Sequence, residues 1–233
     1  MITINSWLKR IQSWLPSTCL LCGESQAVDD VLCQPCAEEL PGNAPACTRC
    51  GAHLPVITSL PVCGRCLRRP PTLDRTVAAF RYAPPLDHLI QRFKFDRKLA
   101  LGPLFAEAMV RAVQDQGARP ECLIPVPLHP ARLRQRGYNQ AVELARPLGE
   151  ALNIPVELDA VSRVRATLTQ SELPADQRRG NVKDAFNALR PFPYQHVAII
   201  DDVMTTGSTL HEMARTLRRA GVETVEAWVC ARA

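Results

Sequence analysis

The stretch Val197–Leu210, VAIIDDVMTTGSTL, constrains the fold more than any other part of the chain. Val197, Ala198, Ile199 and Ile200 form an unbroken apolar run, the pattern of a strand buried on both faces. Asp201 and Asp202 then fall at its carboxyl end, the edge at which open α/β sheets receive ligands. Thr205, Thr206, Gly207, Ser208 and Thr209 follow, leading into a helix whose apolar positions include Leu210, Met213, Ala214 and Leu217. A turn of this composition at a helix N-terminus aims main-chain N–H groups and hydroxyls into one concavity, which suits an anion. Gly207 lets the backbone approach closely, and the paired carboxylates beside it accept hydrogen bonds from hydroxyls. A ribose 5-phosphate meets both requirements. A solvated acidic loop before a capped helix is the plainer alternative. No G-x-x-x-x-G-K-[ST] or G-x-G-x-x-G occurs, which excludes the P-loop and the dinucleotide fingerprint.

The rest of the second part of the chain alternates strand-like and helix-like segments, as parallel βα units require. Strands are expected at Thr76–Tyr82, Cys122–Pro127, Val156–Asp159, His196–Asp202 and Thr224–Ala231, and helices at Pro85–Phe95, Leu101–Gln116, Asn139–Leu152 and Thr209–Ala220. Arg163–Gly180 lacks periodicity and is long for an ordinary connection, so it is expected to be either mobile or functional.

Eight of the ten cysteines form four C-x-x-C pairs within the first 66 residues: Cys19/Cys22, Cys33/Cys36, Cys47/Cys50 and Cys63/Cys66. Each pair can point two thiolates at one tetrahedral ion, so two pairs complete a four-thiolate zinc site, and about two zinc ions are expected. Pairing neighbours is simplest; interleaved pairing and iron–sulfur ligation remain open alternatives, and a disulfide module would need an oxidising compartment. The surrounding sequence is rich in Pro and Gly and poor in periodicity, as where metal replaces a core. No Phe, Tyr or Trp lies between Cys19 and Cys66 to stack bases. Cys122 and Cys230 sit in apolar stretches and read as small buried thiols. Ahead of the cysteines, Ile4, Trp7, Leu8, Ile11, Trp14 and Leu15 fall at helical spacing. RRPPT closes the module, which places a domain boundary near residue 70.

No apolar run approaches the roughly 20 residues of a membrane span, and the first residues lack a secretory apolar block, so a cytoplasmic location is expected. Only four of the 28 cations are lysines (Lys9, Lys94, Lys98 and Lys183), which leaves mostly planar guanidinium forks suited to phosphate or carboxylate. Lys94, between two aromatics in RFKFDRK, reads equally as a phosphate contact or as a snorkelling surface lysine. His129 has no partner visible in sequence and is not assigned as a base.

VAIIDDVMTTGSTL resembles the phosphoribosyl pyrophosphate (PRPP) loop of type I phosphoribosyltransferases. With the eight thiols ahead of it and PVPLHPARLRQRGYNQAVELA between, nearly the whole chain is similar to the ComF family, including the GntX-type proteins linked to DNA utilisation. The resemblance implies an α/β type I phosphoribosyltransferase fold, a parallel sheet flanked by helices, over residues 71–233. A small Cys-rich double zinc ribbon with a leading helix would occupy residues 1–70. Asp201, Asp202, Thr205, Thr206, Gly207, Ser208 and Thr209 would hold PRPP and its Mg2+. Arg132, Arg134 and Arg136, on a proline-stiffened turn, would grip the pyrophosphate, and Arg163, Gln170, Arg178 and Arg179 would belong to a flexible hood. The activity implied is phosphoribosyl transfer to a nitrogenous acceptor with release of pyrophosphate, in DNA uptake or use. The competing expectation is a catalytically silent PRPP sensor or adaptor, whose zinc module engages single-stranded DNA or a DNA-uptake protein. Assembly into a homo-oligomer is compatible with either.

Overall fold

A computed structural model describes residues 17–26, 31–56, 60–117, 119–165, 182–188 and 193–233. The expected helix over Ile4–Leu15 lies outside them, as do Gln170, Arg178 and Arg179.

The N-terminal part is built around its thiols. Strands β1 (Ser17–Thr18) and β2 (Ser25–Gln26) pair antiparallel on either side of Cys19 and Cys22. Helices α1 (Gln34–Glu38) and α2 (Gly64–Arg68) repeat one arrangement: Cys33 and Cys63 are their N-caps, and Cys36 and Cys66 are buried one turn on. None of the ten cysteines is joined in a disulfide.

The second part is a four-stranded sheet of β3 (Arg75–Arg81), β4 (Cys122–Pro125), β7 (His196–Met204) and β8 (Thr224–Arg232), in the order β3-β8-β7-β4 with every pairing parallel. The apolar run of β7 is fully buried, and its alternate residues serve opposite faces. Ala198 and Ile200 join a core with Leu86, Phe93, Phe105 and Leu144, from α3 (Leu86–Phe95), α4 (Leu101–Gln114) and α6 (Gln140–Leu152). Val197 and Ile199 join Met213, Ala214 and Leu217 of α7 (Ser208–Arg219) in a second core. The period-2 geometry of a strand delivers side chains to both layers, which is why this strand has no polar alternate. Cys122 and Cys230 are buried, as their apolar surroundings indicate.

Three expectations need correction. Val156–Asp159 is not a strand: Val156 makes one parallel bridge to Leu123, bracketed by Leu123 N–H to Pro155 O and Glu157 N–H to Leu123 O, both 2.9 Å, before the chain turns away. Arg163 does not begin an irregular excursion but ends β5 (Val161–Arg163), which pairs antiparallel with β6 (Phe186–Ala188). This hairpin leans on α7, where Asp184 N–H donates to the buried Glu212 carboxylate at 3.0 Å. The PARLRQR segment, expected as a proline-stiffened turn, is a helix, α5 (Pro130–Arg136). Pro130 at its first position suits a helix start, and His129 caps it by accepting Ala131 N–H.

Candidate functional site

The helix α6 leads from β4 to Val156 on the outer edge of that strand, whereas α7 leads from β7 to β8 on the other side. Adjacent parallel strands whose connections diverge leave a crevice at their carboxyl ends. A cavity of 350 Å³ opens there, lined by Val126 and Leu128 after β4 and by Asp201, Asp202, Val203, Thr205 and Thr209 from β7 and the turn beyond it.

The acidic pair is held in a network. Asp202 is buried, and its Oδ1 lies 2.9 Å from Lys94 Nζ, delivered by the end of α3. Asp202 N–H donates to Asp201 Oδ1 at 3.0 Å, and Val203 N–H to Asp202 Oδ1 at 2.6 Å. Burial, followed by the neighbouring Asp202 charge, pushes the Asp201 carboxyl up to about 7, although Lys94, the Asp202 amide and Arg163 oppose the rise. Burial alone would lower the Lys94 ammonium; the carboxylates of Asp202 and Asp201 outweigh it and hold its pKa above the usual lysine value. Two carboxylates with a single ammonium leave the cavity floor short of positive charge.

Cations reach the cavity from two other elements. Arg132 and Arg136 of α5 line it, while Arg134 is exposed and does not. Arg136 donates to Gln140 Oε1 at 2.8 Å and lies 5.3 Å over the Phe95 ring. Arg163 lines the cavity from the end of β5, 5.5 Å over the Phe186 ring. Burial and then the charge of Arg132 lower its pKa, with Asp201 pulling the other way. Two guanidinium groups repelling each other beside two carboxylates suit a ligand with separated anionic and hydroxylic parts. Asn139 pins the wall between them: its Nδ2 donates to Val126 O at 3.0 Å, and its Oδ1 accepts Ala141 N–H at the start of α6.

The hydroxyl loop divides between two sides. Thr205 and Thr209 line the cavity, whereas Thr206 and Ser208 line a separate crevice of 290 Å³ and bond each other at 2.8 Å. Gly207 sits at φ 76°, and a Cβ there would lie 2.5 Å from Met204 Cε, so glycine meets the turn without strain. Sequence reasoning left Lys94 undecided and did not find Tyr82, Gln140 or Arg232; partners distant in the chain give these residues no local signal.

In the thiol-rich part, Cys19, Cys22, Cys33 and Cys36 form one cluster and Cys47, Cys50, Cys63 and Cys66 another, the sulfurs of each lying within 4.8 Å of one another. A tetrahedron with zinc–sulfur bonds of about 2.3 Å has edges of roughly 3.8 Å. Cys22 and Cys33 Sγ are 3.7 Å apart, as are Cys50 and Cys63 Sγ. Both sites therefore fit one tetrahedral ion each, with neighbouring knuckles paired. Burial raises the Cys19 thiol, but main-chain N–H groups outweigh it and bring it down to about 6; at Cys63 burial is outweighed by the Cys66 N–H and the neighbouring thiols, which bring it to about 7, while Cys36 is raised by its neighbours and by burial, and Cys66 by burial and its neighbours. The two lowered thiols lose their protons readily to a metal.

Comparison with known proteins agrees with this division of labour. The double zinc ribbon domain family matches residues 11–67, and the phosphoribosyl transferase domain family matches residues 134–233. Competence protein F of Haemophilus influenzae is 40% identical over 224 residues, which span 92% of this chain and 96% of that protein. The chain belongs to the ComF family. Another ComF relative, DNA utilization protein YhgH of Escherichia coli K12, is 38% identical over 94% of this chain and 98% of its own. Among solved structures, the purine phosphoribosyltransferase of Pyrococcus horikoshii aligns at 18% identity with a TM-score of 0.33, covering 55% of this chain and 70% of that one. This ComF chain thus joins a double zinc ribbon to a phosphoribosyltransferase domain, and among the described residues no helix is long and apolar enough to cross a membrane.

Proposed function

We propose that this chain binds PRPP in the 350 Å³ cavity and transfers its phosphoribosyl group to a nitrogenous acceptor, releasing pyrophosphate. The observation that carries the reading is the juxtaposition of the Asp201–Asp202 pair with the hydroxyl loop at the start of α7, at the carboxyl end of β7. The 5-phosphate takes the main-chain N–H groups of the loop and the hydroxyls of Thr205 and Thr209, aided by the positive end of the helix dipole. Thr206 and Ser208 face away and stiffen the loop by bonding each other. The ribose 2- and 3-hydroxyls donate to Asp201 and Asp202, and the pyrophosphate meets Arg132, Arg136 and Arg163.

In the reaction the C1–oxygen bond to pyrophosphate breaks with its electron pair leaving on oxygen. The acceptor nitrogen supplies the pair for the new C1–N bond and then loses its proton to solvent. Positive charge that develops on the ribose is stabilised by the fixed carboxylates, and negative charge on the leaving group by the arginines. The carboxylate and hydroxyl oxygens of the cavity suit a hard cation, and Mg2+ entering with PRPP supplies charge neutralisation for the departing pyrophosphate. No general base is required of His129, whose ring is occupied in capping α5.

The division of the chain near residue 70 follows from this reading, with the ribbons as one unit and the transferase domain as the other. The names of the relatives, competence protein F and DNA utilization protein, support an acceptor or a partner connected with the handling of DNA. Incubating the zinc-loaded chain with PRPP, Mg2+ and a panel of bases and amines, and following pyrophosphate, tests the reading. Release that depends on one acceptor class supports transfer. Tight PRPP binding with no release across the panel would replace it with a PRPP sensor.

A further inference from the structure

The side of the hydroxyl loop turned away from the cavity is held by the Arg232 side chain and by Ala233 N–H, which donates to Met204 O at 3.0 Å. Arg232 ends β8, and its half-buried guanidinium reaches two segments that are remote in sequence. Nη1 donates to Met204 O at 3.0 Å and Thr205 O at 2.6 Å, while Nε donates to Cys50 O at 3.0 Å. Arg232 lines the crevice behind the loop together with Cys50 and Cys66, and does not line the cavity in front.

The direction of these bonds matters because a trans peptide unit points its C=O and N–H in opposite directions. The carbonyl of Met204 shares a peptide with the N–H of Thr205, and that of Thr205 with the N–H of Thr206. Ala233 N–H also directs the Met204 carbonyl toward β8, so it is at the Thr205 carbonyl that Arg232 adds most, drawing it back and turning the Thr206 N–H forward, toward the cavity. The other end of the fork is equally fixed. Cys50 belongs to a tight knuckle in which Cys47 N–H bonds Ala52 O and Gly51 N–H bonds Cys47 O, both at 2.8 Å. The knuckle is fastened to β3 by Thr76, whose N–H donates to Thr48 O and whose hydroxyl donates to Arg49 O, both at 2.9 Å.

One zinc with four thiolates carries a net charge of about −2, so a filled second cluster holds its sulfurs together and attracts the guanidinium that reaches into the loop. Without an ion nothing ties the four sulfurs to one centre, and the Cys50 carbonyl loses part of its support. The first cluster meets the rest of the chain at another place, where Arg92 Nη1 of α3 donates to Leu20 O.

We propose that Arg232 is a positioning residue that transmits the metal occupancy of the Cys47/Cys50/Cys63/Cys66 cluster to the hydroxyl loop, setting its amides for a sugar phosphate. The ligand part rests on the function proposed above; the link between metal and loop does not. It assigns the second ribbon a part in ligand binding. By linkage, a ligand on the loop must also be felt at the metal.

The test uses the full chain with both zinc ions replaced by cadmium-113, the two resonances being assigned through coupling to their cysteine β-protons. Saturating PRPP with Mg2+ is expected to shift the resonance of the second cluster and leave that of the first in place. In Arg232→Ala the shift disappears and PRPP affinity falls about tenfold, the loss expected when charged hydrogen bonds that orient the loop are removed. Arg232→Lys, which keeps the charge but loses the fork, falls between and serves if the alanine variant folds poorly. Amide exchange at Thr205 and Thr206, measured without ligand, is expected to quicken both in the variants and after metal removal. Unchanged exchange in both cases overturns the link. So does PRPP binding that moves neither resonance or is unaltered in both variants. Wild-type protein that fails to bind PRPP while its loop amides still respond to metal and to Arg232 would remove the PRPP reading and leave the link standing.

Discussion

Lys94 Nζ lies 2.9 Å from Asp202 Oδ1, so the acidic pair at the end of β7 carries its own countercharge before any ligand arrives. The side chains are 22% and 12% exposed, between a surface pair and a fully buried one. Removing one partner therefore leaves a carboxylate poorly solvated and unpaired. Lys94→Met is expected to lower stability by roughly 1–3 kcal/mol in urea unfolding at pH 8. Asp202→Asn should relieve part of that loss in the double variant. Strict additivity of the two changes would show that the pair is not coupled.

The elevated Asp201 carboxyl makes stability depend on pH in a defined direction. Its value rises from 3.8 to about 7 on folding. Between these limits the folded chain holds a proton that the unfolded chain has released, so stability falls as pH rises from about 4 to about 7 and then levels off. Asp201→Asn removes that fall. The variant and wild type should match near pH 4, and the variant should be the more stable by roughly 2–4 kcal/mol at pH 8. Equal stabilities at pH 8 would contradict the shift. Because the ribose needs the ionised acceptor, PRPP should bind wild type more tightly as pH rises through about 7.

The three arginines of α5 are predicted to differ. Arg132 and Arg136 line the cavity and Arg134 does not. Alanine at 132 or 136 should weaken PRPP binding about tenfold, as the loss of a charge-assisted contact does, with alanine at 134 nearly silent. A loss at 134 equal to the others would mean that the pyrophosphate sits elsewhere.

Gly207→Ala should cost roughly 1–2 kcal/mol and weaken PRPP binding, because φ is positive and the new Cβ displaces the end of the Met204 side chain, 2.5 Å away. Thr206→Ala, which removes the 2.8 Å bond to Ser208 Oγ and the 3.4 Å bond from Ser208 N–H, should cost stability by about 1 kcal/mol and little affinity. The contrast can be read from thermal melts and titrations of the two variants.

Each of the two cysteine clusters is expected to bind one zinc. Metal analysis should return about two ions per chain, and a chelator should release them with loss of the fold around Cys19–Cys66. A single ion, or full protection from chelator in denaturant, would contradict the assignment.

The features legible in the sequence were those written locally. The apolar run of β7, the acids at its end, the glycine at a left-handed turn and the C-x-x-C knuckles each carry their reason within a few residues. Four of the five expected strands and all four helices expected beyond residue 70 are present to within a few residues at their ends. The losses are all non-local. Phe186 joins Arg163 in a hairpin across a long stretch of chain, Val156 has a partner strand for only one residue, and Lys94 meets Asp202 only after folding. The helix α5 was hidden differently: Pro130 and a run of arginines look like a turn, yet Pro at the first position and a histidine cap start a helix.

The most direct measurement is calorimetric titration of PRPP with Mg2+ into the zinc-loaded chain and into Asp201→Asn/Asp202→Asn. The account predicts one-site binding to the first and a loss of at least about a hundredfold in the second, as removal of two charged acceptors from a shared ligand requires. No heat with the intact chain, or the same affinity in both proteins, would contradict it.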